Sequence, residues 1–186
     1  MSSLRNFCMI TKDALDVRVC DELIEVFKAN PDYHERYDNN GTPNFTQLNL
    51  TKHKELIPEI QAYLSWQAWG LLQTYKESVS ETKYWPEQYM FEEFRIKHYK
   101  GDGHDQFDMH VDAISASTAK RFFAFFWYLN DVEEGGETVF PTLDLVVKPT
   151  KSTSFMFPPL WLYPHRGNPV TKGEKYLLSS YLHYME

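Results

Sequence analysis

The chain is poor in cysteine. Cys8 and Cys20 are its only two, too few for a disulfide framework and without the clustered spacing of a structural zinc site, so both are expected as core thiols. Long apolar runs are missing as well. The longest, 122–129, falls far short of the ~20 residues that cross a bilayer, and Met1-Ser2-Ser3-Leu4-Arg5-Asn6 opens no signal-peptide pattern. Together these absences predict no membrane partner and a reducing, cytoplasmic setting. Positive charge is in deficit: 19 Lys and Arg stand against 26 Asp and Glu, a formal charge of -7. That balance argues against a duplex nucleic-acid partner or a polybasic membrane anchor.

Aromatic side chains are what the sequence has in excess, at 16% with 13 Phe and 12 Tyr. With 42% hydrophobic residues the chain has material for a core, which excludes a disordered polymer, and the aromatics favour β-structure. Its 186 residues are the length of one ordinary domain. We expect a single domain over 1–186, with 1–89 as helical support and 90–186 as a β core.

Two helices are predicted in the first part. The first, 16–28, repeats Val19, Leu23, Val26 and Phe27 at helical spacing and stops at Asn30-Pro31. After a polar loop at 38–43, a second runs from 56 to about 75 on Ile60, Tyr63, Leu64, Leu71 and Leu72. From Met90 the pattern changes to short strands at 91–99, 121–130, 137–140, 143–148, 152–157 and 174–184. The run 122–129 suits a strand buried on both faces, whereas Lys175, Leu177, Ser179, Tyr181 and His183 share one face by alternation. The expected class is mainly β with N-terminal helices, an α+β chain whose antiparallel strands form a sandwich or barrel.

Among seven histidines, His34, His53, His98, His104 and His183 have no evident ligand partner. His110 and Asp112 differ, because residues two apart on an extended chain point to the same side and can meet one cation. His165 could complete two imidazoles and one carboxylate, leaving the opposite face open, as in the facial triad of non-haem ferrous oxygenases. Zinc hydrolases also use two His and one carboxylate. Lys175 separates these readings: a cation buried in a barrel requires an anion, no acidic residue of its own strand is placed to serve, and the distal carboxylate of a bound keto-diacid would. Gly135-Gly136 lacks the Lys-Ser or Lys-Thr of a phosphate loop and is expected as a tight connection. Gly101-Asp102-Gly103, with Asp105 and Asp108, lacks the terminal Glu of a calcium loop and is expected as a flexible lip.

The stretch Tyr128-Leu129-Asn130-Asp131-Val132-Glu133-Glu134-Gly135-Gly136-Glu137-Thr138-Val139-Phe140-Pro141 closely resembles the prolyl 4-hydroxylase branch of the 2-oxoglutarate and iron(II)-dependent dioxygenases. Tyr99, then His110-x-Asp112, then the run from His165 through Pro169, Val170 and Gly173 to Lys175-Tyr176 follow the family's order. The resemblance covers about 91–184. It implies a double-stranded β-helix, or jelly roll, with helices packed outside. It further implies that His110, Asp112 and His165 bind Fe(II) and carry catalysis, and that Lys175 pairs with the C5 carboxylate of 2-oxoglutarate. Tyr99 and Tyr128 would bind or wall that co-substrate and Thr138 would line its pocket; Ser179, one alternation beyond Leu177, is expected to add a hydroxyl. Dioxygen is then the oxidant and ascorbate a candidate helper. The implied partner is a proline-containing peptide or protein. A free amino acid or small molecule, or a non-catalytic cupin-like metal-binding protein, stays open, as does the oligomeric state. Arg121, Trp161 and Arg166 are candidates for the substrate mouth. Two departures stand out: 148–152 lacks the glycine usual in that turn, and 157–164 is shorter than the corresponding loop of collagen-type enzymes.

Overall fold

The computed structural model describes residues 3–38 and 42–185; the middle of the expected loop at 38–43 lies outside them. In chain order the elements are β1 (Met9–Thr11), α1 (Val17–Ala29), β2 (Glu35–Asp38), β3 (Asn44–Asn49), α2 (Ile60–Ser78), β4 (Tyr89–Phe91), β5 (Arg95–Tyr99), β6 (Phe107–His110), β7 (Arg121–Tyr128), β8 (Glu134–Gly135), β9 (Thr138–Phe140), β10 (Leu145–Val147), β11 (Thr153–Phe157), β12 (His165–Gly167), β13 (Val170–Lys172) and β14 (Lys175–Tyr184). Short 3-10 turns join several of them. The fold is therefore mostly β with few helices.

Asp16 starts α1 by accepting a hydrogen bond from the Arg18 amide at 2.8 Å, and Asn30-Pro31 ends it. Its apolar stripe, Cys20, Leu23, Ile24 and Phe27, and that of α2, Ile60, Leu64, Ala68, Leu71, Leu72 and Tyr75, are buried. Both stripes join one core with Phe123, Phe125 and Trp127 of β7 and Leu178 and Leu182 of β14. The alternate residues Ala124, Phe126 and Tyr128 enter a second core with Phe155, Phe157, Leu177, Tyr181 and Phe140. Period-two alternation thus makes one aromatic strand the partition between two cores. Truncating any of its fully buried Phe residues to Ala costs roughly 3–5 kcal/mol.

All strand pairs are antiparallel. The large sheet runs β1-β11-β7-β14-β5-β3-β2, with β4 also on β14; a smaller one runs β10-β9-β12-β6, and β13 pairs β8. Register sets the site. It pairs Lys175 with Tyr99 and Leu177 with both Lys97 and Tyr128, and across the small sheet it pairs His165 with His110.

The structure corrects the expectation that 1–89 is helical support alone. Three strands lie there, and β3 hydrogen-bonds along β5 inside the large sheet. The segment Asn44-Phe45-Thr46-Gln47-Leu48-Asn49 has only one β-branched residue and few apolar ones, so its strand character comes from pairing, not propensity. The strand expected at 91–99 is split at 92–94, and the one at 143–148 begins with a 3-10 turn. In the glycine-free turn Ser152 takes φ 64°. Its hydroxyl donates to Leu15 O and accepts from the Leu15 amide, which holds a backbone conformation that is costly for a non-glycine residue. Among the described residues no helix is long and apolar enough to cross a membrane.

Candidate active site

β6 ends on His110, Asp112 follows two residues later, and β12 opens on His165. Strand pairing places the two imidazoles side by side, 4.3 Å between ring centroids. Each ring is oriented from behind. His110 Nδ1 donates to Asp108 O at 2.7 Å and His165 Nδ1 to Tyr163 O at 3.0 Å. A carbonyl can only accept, so both Nδ1 atoms carry the proton and both Nε2 atoms present lone pairs. Those Nε2 atoms lie 3.8 Å from Asp112 Oδ1 and 3.6 Å from Asp112 Oδ2 respectively. One ligand atom from each of the three residues falls within 4.8 Å of the others.

Aromatic neighbours fix the rings further. Phe107 stacks on His110 at 3.5 Å, and Phe140 on His165 at 4.9 Å. Burial, followed by the proximity of His165, pushes the His110 imidazole down to about 4, so it is neutral and free to ligate at pH 7. Tyr181 donates its hydroxyl to Asp112 Oδ1 at 2.8 Å, while Asp112 Oδ2 is buried with no hydrogen-bond partner among the described residues. A buried, unpartnered carboxylate oxygen facing two imidazole lone pairs is a charge and donor imbalance that one divalent cation corrects. The residues fit ferrous iron, with the side away from them left to other ligands.

Lys175 lies on the same wall, 2% exposed. Its Nζ donates to Gly136 O at 2.7 Å and has no carboxylate partner among the described residues. Burial, then Lys97, pushes its ammonium down to about 7. Gly136 sits at φ 73°, and a Cβ there would come 3.2 Å from Val170 and 3.3 Å from the Lys175 stem. The tight connection made by Gly135-Gly136 therefore needs glycine to bring a carbonyl onto the lysine. The faces of Tyr99 and Tyr128 lie 4.9 and 5.8 Å from Nζ, and Tyr128 shares a 2.8 Å hydrogen bond with Thr138. Burial raises both phenols well above their ordinary range, so each is a neutral donor.

The structure brings His110, Asp112, His165, Lys175, Tyr99 and Thr138 into one narrow cleft of about 20 Å³, with Tyr128 hydrogen-bonded behind Thr138. Ser179 lies instead on a neighbouring cavity, its hydroxyl 3.4 Å from Arg95 O, and Arg121 lines that cavity too. Trp161 is 75% exposed and Arg166 is exposed, both outside the cleft. The 101–108 segment is anchored and not a loose lip: Asp105 is fully buried and accepts from Arg36 at 2.7 and 3.0 Å and from the Lys100 amide at 2.9 Å. Three residues that no motif marks complete the site, namely Tyr181, Lys97 and Phe107, together with Phe140, which lies in the 128–141 stretch but was given no role there. Of the three, Tyr181 alone left a trace in the sequence, three alternations beyond Lys175 on the same strand face.

Fold and site together present a candidate mononuclear metal site of the two-histidine, one-carboxylate kind, set between antiparallel sheets beside a buried lysine. Residues 94–183 match the family model described as the 2OG-Fe(II) oxygenase superfamily. Among curated relatives, the Arabidopsis thaliana protein named "Probable prolyl 4-hydroxylase 9" is 30% identical over 120 residues, covering 49% of this chain and 40% of the relative. Prolyl 4-hydroxylase 13 of the same plant is 28% identical over 142 residues, covering 61% and 50%. The chain thus spans about half the length of the curated relatives it matches. A viral collagen prolyl hydroxylase from Paramecium Bursaria Chlorella virus-1, solved as a 2OG complex, superposes with TM-score 0.66 at 24% identity over 97% of both chains. The Trichoplax adhaerens prolyl hydroxylase, solved with a hypoxia inducible factor peptide fragment, superposes with TM-score 0.73 at 18% identity over 96% of this chain and 84% of that one. Residues 94–183 of this chain thus resemble the 2OG-Fe(II) oxygenase superfamily, and the chain is similar to prolyl 4-hydroxylases in sequence over part of its length and to solved prolyl hydroxylases in fold.

Proposed function

We propose that this chain is a 2-oxoglutarate- and Fe(II)-dependent dioxygenase that hydroxylates a C–H bond in the manner of a prolyl 4-hydroxylase. The observation that carries the reading is the pairing of two unsatisfied groups in one cleft: a buried carboxylate oxygen among imidazole lone pairs, and a buried ammonium with no anion. Residues 1–186 act as one domain, its sheets forming a double-stranded β-helix with α1 and α2 outside.

His110, Asp112 and His165 hold the iron. Lys175 takes the C5 carboxylate of 2-oxoglutarate, and Tyr99, Tyr128 and Thr138 wall that end. Bound iron supplies the redox chemistry in which dioxygen, 2-oxoglutarate and a C–H bond give succinate, carbon dioxide and a C–OH bond. The chain's own residues bind and orient. Tyr181 keeps Asp112 turned toward the two Nε2 atoms, the backbone acceptors behind both histidines fix their tautomers, and Phe107, Phe126, Phe140 and Leu177 keep water from the cleft. The cleft has room for one water-sized species as it stands, so the diacid enters as Lys175 exchanges Gly136 O for a carboxylate. The substrate is a prolyl-type residue, ascorbate serves as supporting reductant, and the two free thiols Cys8 and Cys20 support a reducing, cytoplasmic setting.

The test is an anaerobic visible spectrum of the ferrous protein before and after 2-oxoglutarate. A metal-to-ligand charge-transfer band in the wild type that disappears in His110→Ala is expected. Iron bound to the folded protein with no band would sink the reading.

A further inference from the structure

Beside the cleft, sharing Lys97 and Phe107 with it, lies a cavity of about 300 Å³. Its wall includes Glu35, Asn49, Lys52, Arg95, Arg121 and Tyr181. Nearly every charge on that wall is matched. Arg121 is bidentate to Glu92 at 2.8 Å on both nitrogens, and its guanidinium lies 4.2 Å over the Tyr181 ring. Arg95 is paired with Glu93 and lies 3.9 Å from Glu92. Lys52 faces Glu35 at 3.7 Å.

Lys97 is the exception. Half-buried, it makes no ion pair and no hydrogen bond among the described residues, and its ammonium rests over the Phe45 ring at 5.1 Å. The nearest negative field is that of Asp112, a charge committed to the cation once the triad is loaded. Burial, offset in part by Asp112, pushes the Lys97 ammonium down to about 8. Asn49 stands on the same wall, 2% exposed, its Nδ2 amide buried without a partner while its Oδ1 accepts from the Lys52 amide at 3.1 Å. Two donors on this cavity wall therefore lack acceptors among the described residues, one of them charged; the register sets Lys97 opposite Gln47 and Asn49 opposite Arg95, one two-residue step apart. Lys97 borders the cleft as well, but it stands two residues along β5 from Tyr99, the register partner of Lys175, or about 7 Å along the strand.

We infer that the substrate carries a free carboxylate a few bonds from the carbon to be oxidised, and that Lys97 and Asn49 bind it in this cavity. This rests on the oxygenase reading above and narrows its substrate to a free amino acid or the terminal residue of a peptide. A residue inside a chain offers no such charge, and burying its neutral amide against Lys97 would leave the ammonium unpaired.

The experiment uses the full chain loaded anaerobically with ferrous iron and 2-oxoglutarate, whose charge-transfer band reports the underlying reading independently. Matched pairs are titrated in by calorimetry and then exposed to dioxygen: each free amino acid against its carboxamide, and Ala-Ala-Pro against its C-terminal amide. Free acids are expected to bind at least tenfold tighter than their amides and to gain one oxygen by mass. Binding by the free amino acid alone, or by the tripeptide acid as well, distinguishes the two carboxylate sources. In Lys97→Met the acid preference should fall at least tenfold, and Lys97→Arg should restore it. With the band present, amides bound as well as acids, or no acid bound at all, would overturn the inference even if neither variant folds. An absent wild-type band overturns the oxygenase reading itself.

Discussion

Lys175→Met should make the protein more stable and at the same time useless to its co-substrate. The wild-type ammonium is 2% exposed and has one neutral acceptor, Gly136 O. Its displacement from 10.5 to about 7 corresponds to a penalty on the folded state of roughly 4–5 kcal/mol at pH 7. Methionine fills similar volume without that penalty but leaves the Gly136 carbonyl unpartnered, which costs ~1–3 kcal/mol. The difference is a net gain of about 1–4 kcal/mol, or roughly 2–16 °C in Tm for a domain of this size. The pH dependence carries the same signature. A depressed ammonium means that the unfolded chain binds more protons than the folded one between pH 7 and 10.5, so the apo wild type gains stability relative to the variant as pH rises through that window. Against this, 2-oxoglutarate loses its counter-charge, and a buried carboxylate without a partner costs ~3–5 kcal/mol, so its affinity falls a hundredfold or more. Calorimetric melting of the apoprotein and anaerobic titration of the charge-transfer band measure the two halves. A variant that melts lower than the wild type, or binds 2-oxoglutarate with wild-type affinity, would refute the reasoning.

Three further outcomes are expected. Tyr181→Phe deletes the one side-chain hydrogen bond that Asp112 accepts among the described residues and should weaken ferrous binding about tenfold without unfolding the chain; an unchanged titration counts against a positioning role for the phenol. The His110 imidazole of the apoprotein should titrate near pH 4 by NMR, and because the unfolded ring binds its proton near 6.5, its contribution to stability, up to ~3 kcal/mol, is lost as pH falls from 6.5 toward 4. A midpoint at 6 or above would show that the ring is not desolvated. Gly136→Ala, forced to φ 73° against Val170 and the Lys175 stem, should lower stability by ~1–3 kcal/mol in denaturant melts; no loss would mean that the connection relaxes freely.

The sequence disclosed what local pattern determines. The stripes of α1 and α2, the two-faced aromatic strand and the His-x-Asp pair all follow from period and spacing, and Lys175 follows from being a cation on an apolar strand. The N-terminal strands were not legible, because β2 and β3 owe their conformation to β5, a partner dozens of residues away. Lys97 was silent for the same reason: nothing in its neighbours along the chain reveals that Arg95 and Arg121 are already neutralised while it is not. The depressed imidazole of His110 was not legible either, because its burial arises only when β6 meets β12.

β14 lies between β7 and β5 and also pairs β4. A chain synthesised from its N-terminus makes both flanking strands long before the strand that joins them. Until residues 175–184 arrive, the most aromatic segment of the protein has an open edge, a template for pairing with another nascent copy. Closing that gap is a late, long-range event of high contact order. The strand that carries both the co-substrate lysine and the tyrosine on Asp112 is therefore also the one on which escape from aggregation depends, and assembly of the site coincides with the end of that hazard.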